Sequence, residues 1–328
     1  MKLSVALCTY NGESFLQQQL DSILQQELPV DEIIICDDGS TDNTINIIES
    51  YKQRYDYPIF ILKQNKKNKG VRKNFENAIS LCSGDIIFLS DQDDIWQYEK
   101  TRKIVNFLNN NPRINLVFTN ATLIDKNNKE YGTNTLFDVV GLQSLMNVWN
   151  DGLTFEIENV TQRLLGSTFG LRKEFANQCL PFNNNIKNYH DGQLAMLAIV
   201  NNCIAMLPES LIQYRLHDKN VVGLGGNRIL HKVSFKKSYN FILEPREINP
   251  LFKYSKNKDF NKRTSFYQKR YNYYSRISGK IILIISVFQY IKYYKKYWFD
   301  FYANDITYGV GSKCKKVIQK LNSLIKRI

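Results

Sequence analysis

The chain has 328 residues, 43% hydrophobic and 13% aromatic, with 44 Lys and Arg against 31 Asp and Glu and a net charge of +13. Such a length and apolar content exclude a disordered chain, and no internal repeat suggests a fibre or solenoid. The charge is uneven: Lys253 to Ile328 holds 18 basic and 3 acidic residues, which leaves the rest of the chain close to neutral.

Taken in chain order, the first 125 residues alternate between short apolar runs and helical patterns. Lys2–Cys8 reads as a strand ended by Asn11-Gly12, and Ser14–Gln26 follows with helical spacing at Phe15, Leu16, Leu20, Ile23 and Leu24. Glu32–Cys36 is a second buried strand, stopped by Asp37-Asp38-Gly39-Ser40 before a helix over Thr41–Tyr55. Ile59–Lys63 and Asp85–Ser90 read as further strands, with a helix over Val71–Leu81 between them. Trp96–Asn109 has helical spacing and Leu116–Thr119 reads as another strand. Strands alternating with helices of this length predict βαβ units, and so a mostly parallel sheet covered by helices, an α/β fold. Further on, Phe169–Leu171, Ile204–Leu207 and Leu211–Tyr214 read as strands and Gly192–Val200 as a helix. The predicted divisions are a regularly alternating half over about 1–125, a less regular half over about 126–226, and a helical, basic and aromatic region over 227–328.

In parallel sheets of this kind ligands bind at the carboxyl ends of the strands. Here Thr9, Tyr10 and Asn11 follow the first strand, Asp37 and Asp38 the second, and Asp91 and Asp93 the fourth. A dinucleotide fold would carry GxGxxG after its first strand, and that position reads Cys8-Thr9-Tyr10-Asn11-Gly12-Glu13. No P-loop signature is present either. Six cysteines are scattered without paired spacing, which predicts free thiols in a reducing compartment. The apolar run Leu3–Cys8 is too short for a signal peptide, so the expectation is a cytoplasmic protein.

Asp91-Gln92-Asp93, at the end of an apolar strand, places two carboxylates one residue apart in a turn. Carboxylates so spaced can direct oxygens at one hard divalent cation, Mn²⁺ or Mg²⁺, that keeps open positions for phosphate oxygens. The bland reading is an Asp-rich turn, with Asp94 as cap of the next helix. Asp38 is expected at a neighbouring strand end, where a carboxylate accepts from a uracil or thymine N–H or a ribose hydroxyl. A helix cap is the bland alternative at Asp37-Asp38.

Thr9-Tyr10-Asn11-Gly12, Cys36-Asp37-Asp38-Gly39-Ser40-Thr41-Asp42, Lys69-Gly70-Val71-Arg72-Lys73-Asn74 and Ser90-Asp91-Gln92-Asp93-Asp94 resemble, in order and spacing, the motifs of glycosyltransferase family 2. Tyr189-His190-Asp191 and Tyr214-Arg215-Leu216-His217 resemble motifs of its rhamnosyltransferase-like branch. The resemblance covers about residues 2–226. It implies a GT-A fold, a nucleotide-sugar donor and single displacement at the anomeric carbon with inversion. Within a donor-binding half over about 1–125, Thr9, Tyr10, Asn11 and Asp38 would then hold the base and ribose, Lys69 and Arg72 would neutralise donor charge or else form a solvated helix start, and Asp93 with Asp91 would bind the metal beside the donor nucleotide; the acceptor half would span about 126–226. His217 is expected near the diphosphate or metal. Asp191 is the expected general base, kept ionised by a helix N-terminus, and Gly166, Ser167 and His190 are expected at the acceptor. Two departures stand out: His190 occupies a position where Glu is common, and Gly192-Gln193 replaces the bulky aromatics of the branch, which counts against rhamnose as the sugar. The QxxRW motif of processive synthases is absent, which argues for adding one sugar.

In the basic region, Ile281–Ile291 is uncharged but would span only about 16 Å as a helix, against roughly 30 Å of hydrocarbon. Tyr290, Tyr293, Tyr294, Tyr297 and Trp298 amid lysines predict peripheral contact with an anionic membrane face, where a glycan or lipid-linked acceptor would be presented. Packing on the catalytic body or on a second copy is the alternative use of that region; no nucleic-acid-binding pattern is present. Two rivals stand beside the transferase: a sugar nucleotidyltransferase, which wants a Gly-rich basic signature that Ala6–Glu13 lacks, and a non-catalytic nucleotide-sugar-binding scaffold, which needs no joint Asp93 and Asp191.

Overall fold

A computed structural model describes residues 1–140, 142, 164–184, 189–201, 203–218 and 220. The whole of the basic C-terminal region, with its expected membrane contact, lies outside these residues. Among the described residues no helix is long and apolar enough to cross a membrane.

The strands are β1 (Leu3–Thr9), β2 (Glu32–Asp37), β3 (Ile59–Gln64), β4 (Ile86–Ser90), β5 (Ile95–Trp96), β6 (Leu116–Ile124), β7 (Glu130–Thr135), β8 (Phe169–Arg172) and β9 (Ile204–Arg215). They form one sheet in the order β3-β2-β1-β4-β8-β6-β9-β5, with β7 on β6. The expected parallel pairing holds over β3-β2-β1-β4. Beyond β4 the sheet is mixed: β8 is antiparallel to both its neighbours, while β9 returns parallel to β6. β1, β2 and β4 are buried along their whole length, which explains why they read as continuous apolar runs rather than alternating ones.

The helices are α1 (Leu16–Leu24), α2 (Thr44–Arg54), α3 (Val71–Leu81), α4 (Lys100–Asn110), α5 (Leu136–Val140), α6 (Lys173–Cys179) and α7 (His190–Val200). Phe75, Ala78 and Ile79 of α3 and Ile104 and Leu108 of α4 are fully buried, so each amphipathic face meets the sheet. Several boundaries differ from the sequence expectation. The α2 helix starts at Thr44, because Asp42 turns its carboxylate onto the Thr44 N–H at 3.0 Å. Ile95–Trp96 pairs with Ile212–Gln213 as a short strand, so α4 begins only at Lys100. The two short runs expected over 204–214 are one strand, whose register on β6 shifts around Asn120. Cys8, Cys36, Cys82, Cys179 and Cys203 are free and buried.

Candidate active site

The carboxyl ends of β1, β2 and β4 open on a cleft of about 530 Å³, walled on the far side by the turn at Gly166 and by the start of α7. Its near wall is built by short polar side chains that satisfy one another. Asp37 closes the turn after β2, accepting from the Gly39 and Ser40 N–H groups at 3.0 and 2.9 Å and from the Thr9 hydroxyl at 2.8 Å. Asp37 is therefore the turn residue, and Thr9 is committed to it. Asp38 lines the cleft. Its carboxylate takes the backbone N–H of Lys69 and of Gly70, each at 2.8 Å, and the Asn65 amide at 3.0 Å. Those bonds pin the loop that enters α3, and Gly70 accommodates its φ of +84° there without a Cβ penalty.

Asn11 takes the left-handed conformation, φ +49°, and its side chain accepts from Thr41 N–H at 2.8 Å, joining the first two strand ends. Gln92 joins the first and fourth: it accepts from the Tyr10 N–H at 2.8 Å and donates to the Tyr10 carbonyl at 3.0 Å. The Tyr10 ring is left 43% exposed at the mouth of the cleft. Lys69 and Arg72 do not line this cleft. They line an adjoining depression, where Arg72 donates to the Asn184 side chain at 3.0 Å and Lys73 pairs with Glu76.

The acidic turn after β4 holds three carboxylates together. Burial, and then the charges of Asp93, Asp94 and Asp191, push the Asp91 carboxyl well above the usual carboxylate range. Asp94 is buried and raised to about 7, by burial first and by Asp93 second. It caps no helix: Oδ1 accepts from the Arg215 N–H at 3.0 Å, and the Ser167 side chain also favours its charged form. Asp93 faces His217, whose Nε2 stands 2.8 Å from Oδ2. Glu32, a buried acid at the start of β2, shows the contrast. Burial would raise it, yet Lys2, Ser4 and Ser83 overcome that and hold it down to about 2. Glu32 is answered by protein donors, whereas the acids after β4 stay crowded.

Arg215 holds that crowded turn. It is fully buried, lies 4.6 Å over the Phe15 ring, and donates to the carbonyls of Asp93 and Asp125 at 2.7 and 3.0 Å and to Gln18 at 2.8 Å. It fixes the backbone of Asp93 against α1 and the β6–β7 turn and delivers His217 two residues later.

On the far wall, Asp191 lies inside the first turn of α7, which begins at His190 rather than at the expected Gly192. Its oxygens accept from the Gly192 N–H at 2.7 Å and the Gly166 N–H at 3.3 Å. The expectation that a helix N-terminus lowers its pKa is corrected here: burial outweighs those N–H groups and raises the carboxyl to about 6. His190 is buried, stacked on Phe75 at 3.7 Å between centroids, and neither ring nitrogen has a hydrogen-bond partner. Burial holds it down to about 3, so the ring is neutral. Gly166 is required by close approach, since a Cβ there would stand 2.7 Å from His190 Nε2 and 3.3 Å from the Asp191 Cβ.

The structure thus brings Asp38, Asp91, Asp93, Gly166, His190, Asp191 and His217 to one cleft, with Thr9, Tyr10 and Asn11 at its rim. Ser167 sits behind the wall, fully buried. Sequence reasoning passed over Gln92, Phe75 and Arg215. The first lies between the two acids and the last sits inside the Tyr-Arg-x-His motif, so both had a signal in their neighbours; Phe75 reads as one more core position of a helix.

No three His, Cys, Asp or Glu side chains among the described residues form a ready-made metal cage. The donor set nonetheless fits a hard cation that shares its ligands with a substrate: Asp91 and Asp93 offer oxygens on one turn, and their mutual repulsion favours a positive charge between them.

Residues 4–180 match the family described as Glycosyl transferase family 2. The chain is 33% identical over 248 residues to the dTDP-rhamnosyl transferase RfbG of Shigella flexneri, covering 71% of this chain and 76% of that protein. An uncharacterised glycosyltransferase of Haemophilus influenzae is 28% identical over 66% of this chain and 65% of its own length. Among solved structures, S. aureus TarS 1-349 in complex with UDP-GlcNAc superposes with a TM-score of 0.54 at 18% identity, over 82% of this chain and 70% of that one. The mannosyltransferase PcManGT of Pyrobaculum calidifontis, in complex with GDP-Man and Mn²⁺, superposes with a TM-score of 0.50 at 14% identity, over 90% and 83%. These superpositions establish a shared fold.

Proposed function

The chain belongs to glycosyl transferase family 2, and from that premise we propose that it moves a single sugar from a UDP- or dTDP-sugar to a glycan or lipid-linked acceptor, inverting the anomeric centre. The observation that carries the reading is the position of Asp191. It is a half-buried carboxyl raised to about 6, across one cleft from the acidic turn after β4. A carboxylate with a pKa near the working pH is matched to taking a proton from a hydroxyl.

In the proposed reaction the acceptor hydroxyl, held against Asp191, attacks the anomeric carbon as Asp191 takes its proton. The bond from that carbon to the diphosphate oxygen breaks, and the nucleoside diphosphate leaves with the electron pair. Asp191 then returns the proton to water. Asp38 and the rim formed by Tyr10 and Asn11 hold base and ribose, and His190, neutral and unpartnered, offers a hydrogen bond to a sugar or acceptor hydroxyl. When bound at Asp93 and Asp91 with the donor phosphates, Mn²⁺ or Mg²⁺ supplies positive charge that offsets the departing diphosphate. His217 and Arg215 orient Asp93 for that task.

The donor in RfbG's name makes dTDP-rhamnose the first to try. Gly192-Gln193 keeps UDP-hexoses on the panel. Surface-polysaccharide assembly at the cytoplasmic face of the membrane is the proposed setting, with the basic segment after Lys253 at the anionic lipid. A panel of UDP- and dTDP-sugars, assayed for nucleoside diphosphate release with Mn²⁺ or Mg²⁺, tests the function. Release from one donor supports it; binding of nucleotide sugars without release from any would favour the scaffold reading, and pyrophosphate-dependent formation of nucleoside triphosphate the nucleotidyltransferase.

A further inference from the structure

We infer that Lys100 is a positioning residue for the proposed transfer, a buried cation that ties the turn holding the base to the acidic turn after β4. The inference rests on the reading of Asp191 as base.

Lys100 is the first residue of α4 and is fully buried. A lysine there opposes the helix dipole, and burying its charge is expensive, so neither helix formation nor core packing explains it. Its Nζ lies 3.8 Å over the Trp96 ring and donates to the Ser167 carbonyl at 2.8 Å. Ser167 is the centre of the single 3₁₀ turn Gly166–Thr168, closed by the Thr168 N–H on the Leu165 carbonyl at 3.0 Å. The first residue of that turn gives its N–H to Asp191 Oδ2. The middle of this three-residue turn is therefore fixed by Lys100, and its first residue holds the base.

Lys100 also faces the acidic turn. Burial pulls its ammonium down to about 7, and the charges of Asp94 and then Asp91 act against that pull. The Ser167 side chain and Lys100 both favour the charged form of the Asp94 carboxylate, so polar groups from both turns gather beside Lys100. Lys100 does not line the cleft, which excludes contact with substrate and leaves positioning as its route to the reaction. Its role is to keep Asp191 at a set distance from the acids that handle the leaving group, since misplacing a catalytic group by about 1 Å costs roughly a hundredfold in rate.

The test uses the full chain as Lys100→Met and Lys100→Arg. Backbone amide exchange is read without any nucleotide sugar, and nucleoside diphosphate release from dTDP-rhamnose, UDP-glucose and UDP-GlcNAc is read with Mn²⁺. In K100M, exchange over residues 164–168 should accelerate at least tenfold while β1 and β2 keep their protection. Turnover of whichever of these donors the wild type cleaves should fall at least tenfold, with KM within about threefold. K100R, which keeps a donor and a charge, should recover most of both. Unchanged exchange at 164–168, or an equal acceleration across β1 and β2, overturns the inference, as does turnover per folded enzyme equal to wild type. Should K100M fail to fold, Lys100→Gln is read by the same two criteria. If the wild type cleaves none of the three donors, it is the transferase reading that fails, and the exchange pattern still decides whether Lys100 fixes the turn.

Discussion

Replacing Asp191 with Asn should abolish transfer and yet make the fold more stable in alkaline buffer. The Asp191 carboxyl is raised from an ordinary 3.8 to about 6, by burial first, against the pull of the Gly192 and Gly166 N–H groups. That difference corresponds to about 3 kcal/mol. Because the folded pKa lies above the unfolded one, the stabilisation is complete below about pH 4 and is lost as the pH rises through about 6. Above pH 7 the folded protein carries the charge at a disadvantage. Asn removes the charge and keeps an acceptor for the Gly166 or Gly192 N–H, but it forfeits a helix N-terminal charge interaction worth about 0.3–1 kcal/mol. Contact of the carboxyl with solvent in the cleft reduces the gain further, so the expected net is about 1–2 kcal/mol in favour of D191N at pH 8. Near pH 4 the difference should vanish. Urea unfolding of both proteins at pH 8 and pH 4.5 measures it. A D191N protein less stable than wild type at pH 8, or a difference equal at both pH values, refutes the account of a strained base.

His190 runs the other way. Held down to about 3 by burial, it is neutral when folded, while the unfolded chain takes a proton below about 6.5; stability is therefore lost as pH falls through that interval. Wild type should lose about 2–3 kcal/mol to this residue between pH 7 and 4.5, and His190→Phe, which keeps a ring on Phe75, should flatten that limb in unfolding curves. Gly166→Ala places a methyl 2.7 Å from His190 Nε2, and the ring is confined by Phe75 at 3.7 Å. Overpacking of this kind costs about 1–3 kcal/mol, and turnover should fall at least tenfold because the methyl also presses on Asp191. Arg215→Lys cannot reach the carbonyls of Asp93 and Asp125 and the Gln18 amide at once. Losing bonds to these part-buried acceptors should cost about 1–2 kcal/mol in denaturant and weaken the Mn²⁺ dependence of UDP or dTDP binding.

Much of the first 125 residues was legible because β1, β2 and β4 are buried on both faces and end in polar turns, so they announce themselves and their ends locate the cleft. What the sequence hid were effects of tertiary contact. β5 is two residues long and exists only because β9 pairs with it, which is why Ile95 and Trp96 were read into a helix. β8 enters the sheet antiparallel between β4 and β6, a choice made by long-range pairing that local periodicity does not carry. Residues that stand in a motif, such as Asp93 and Asp191, do line the cleft, and their roles there are proposals. Asp191's pKa was misjudged because the helix start was visible in the sequence while its burial under Gly166 was not. Lys100 looks like an ordinary surface cation in a chain rich in them, and only its complete burial sets it apart; Arg215 stands in a motif, but its complete burial is equally invisible to local pattern.

The central claim is that a nucleotide sugar is cleaved in this cleft with Asp191 as the base. Its most direct test pairs dTDP and UDP binding with nucleoside diphosphate release from dTDP-rhamnose, UDP-glucose and UDP-GlcNAc, for wild type and D191N in Mn²⁺. The account predicts that wild type releases the diphosphate from one of these donors. D191N should bind the matching nucleotide within about threefold of wild type and release at least a thousandfold less, in the range lost when an essential catalytic group is removed. Release by D191N at the wild-type rate would contradict it.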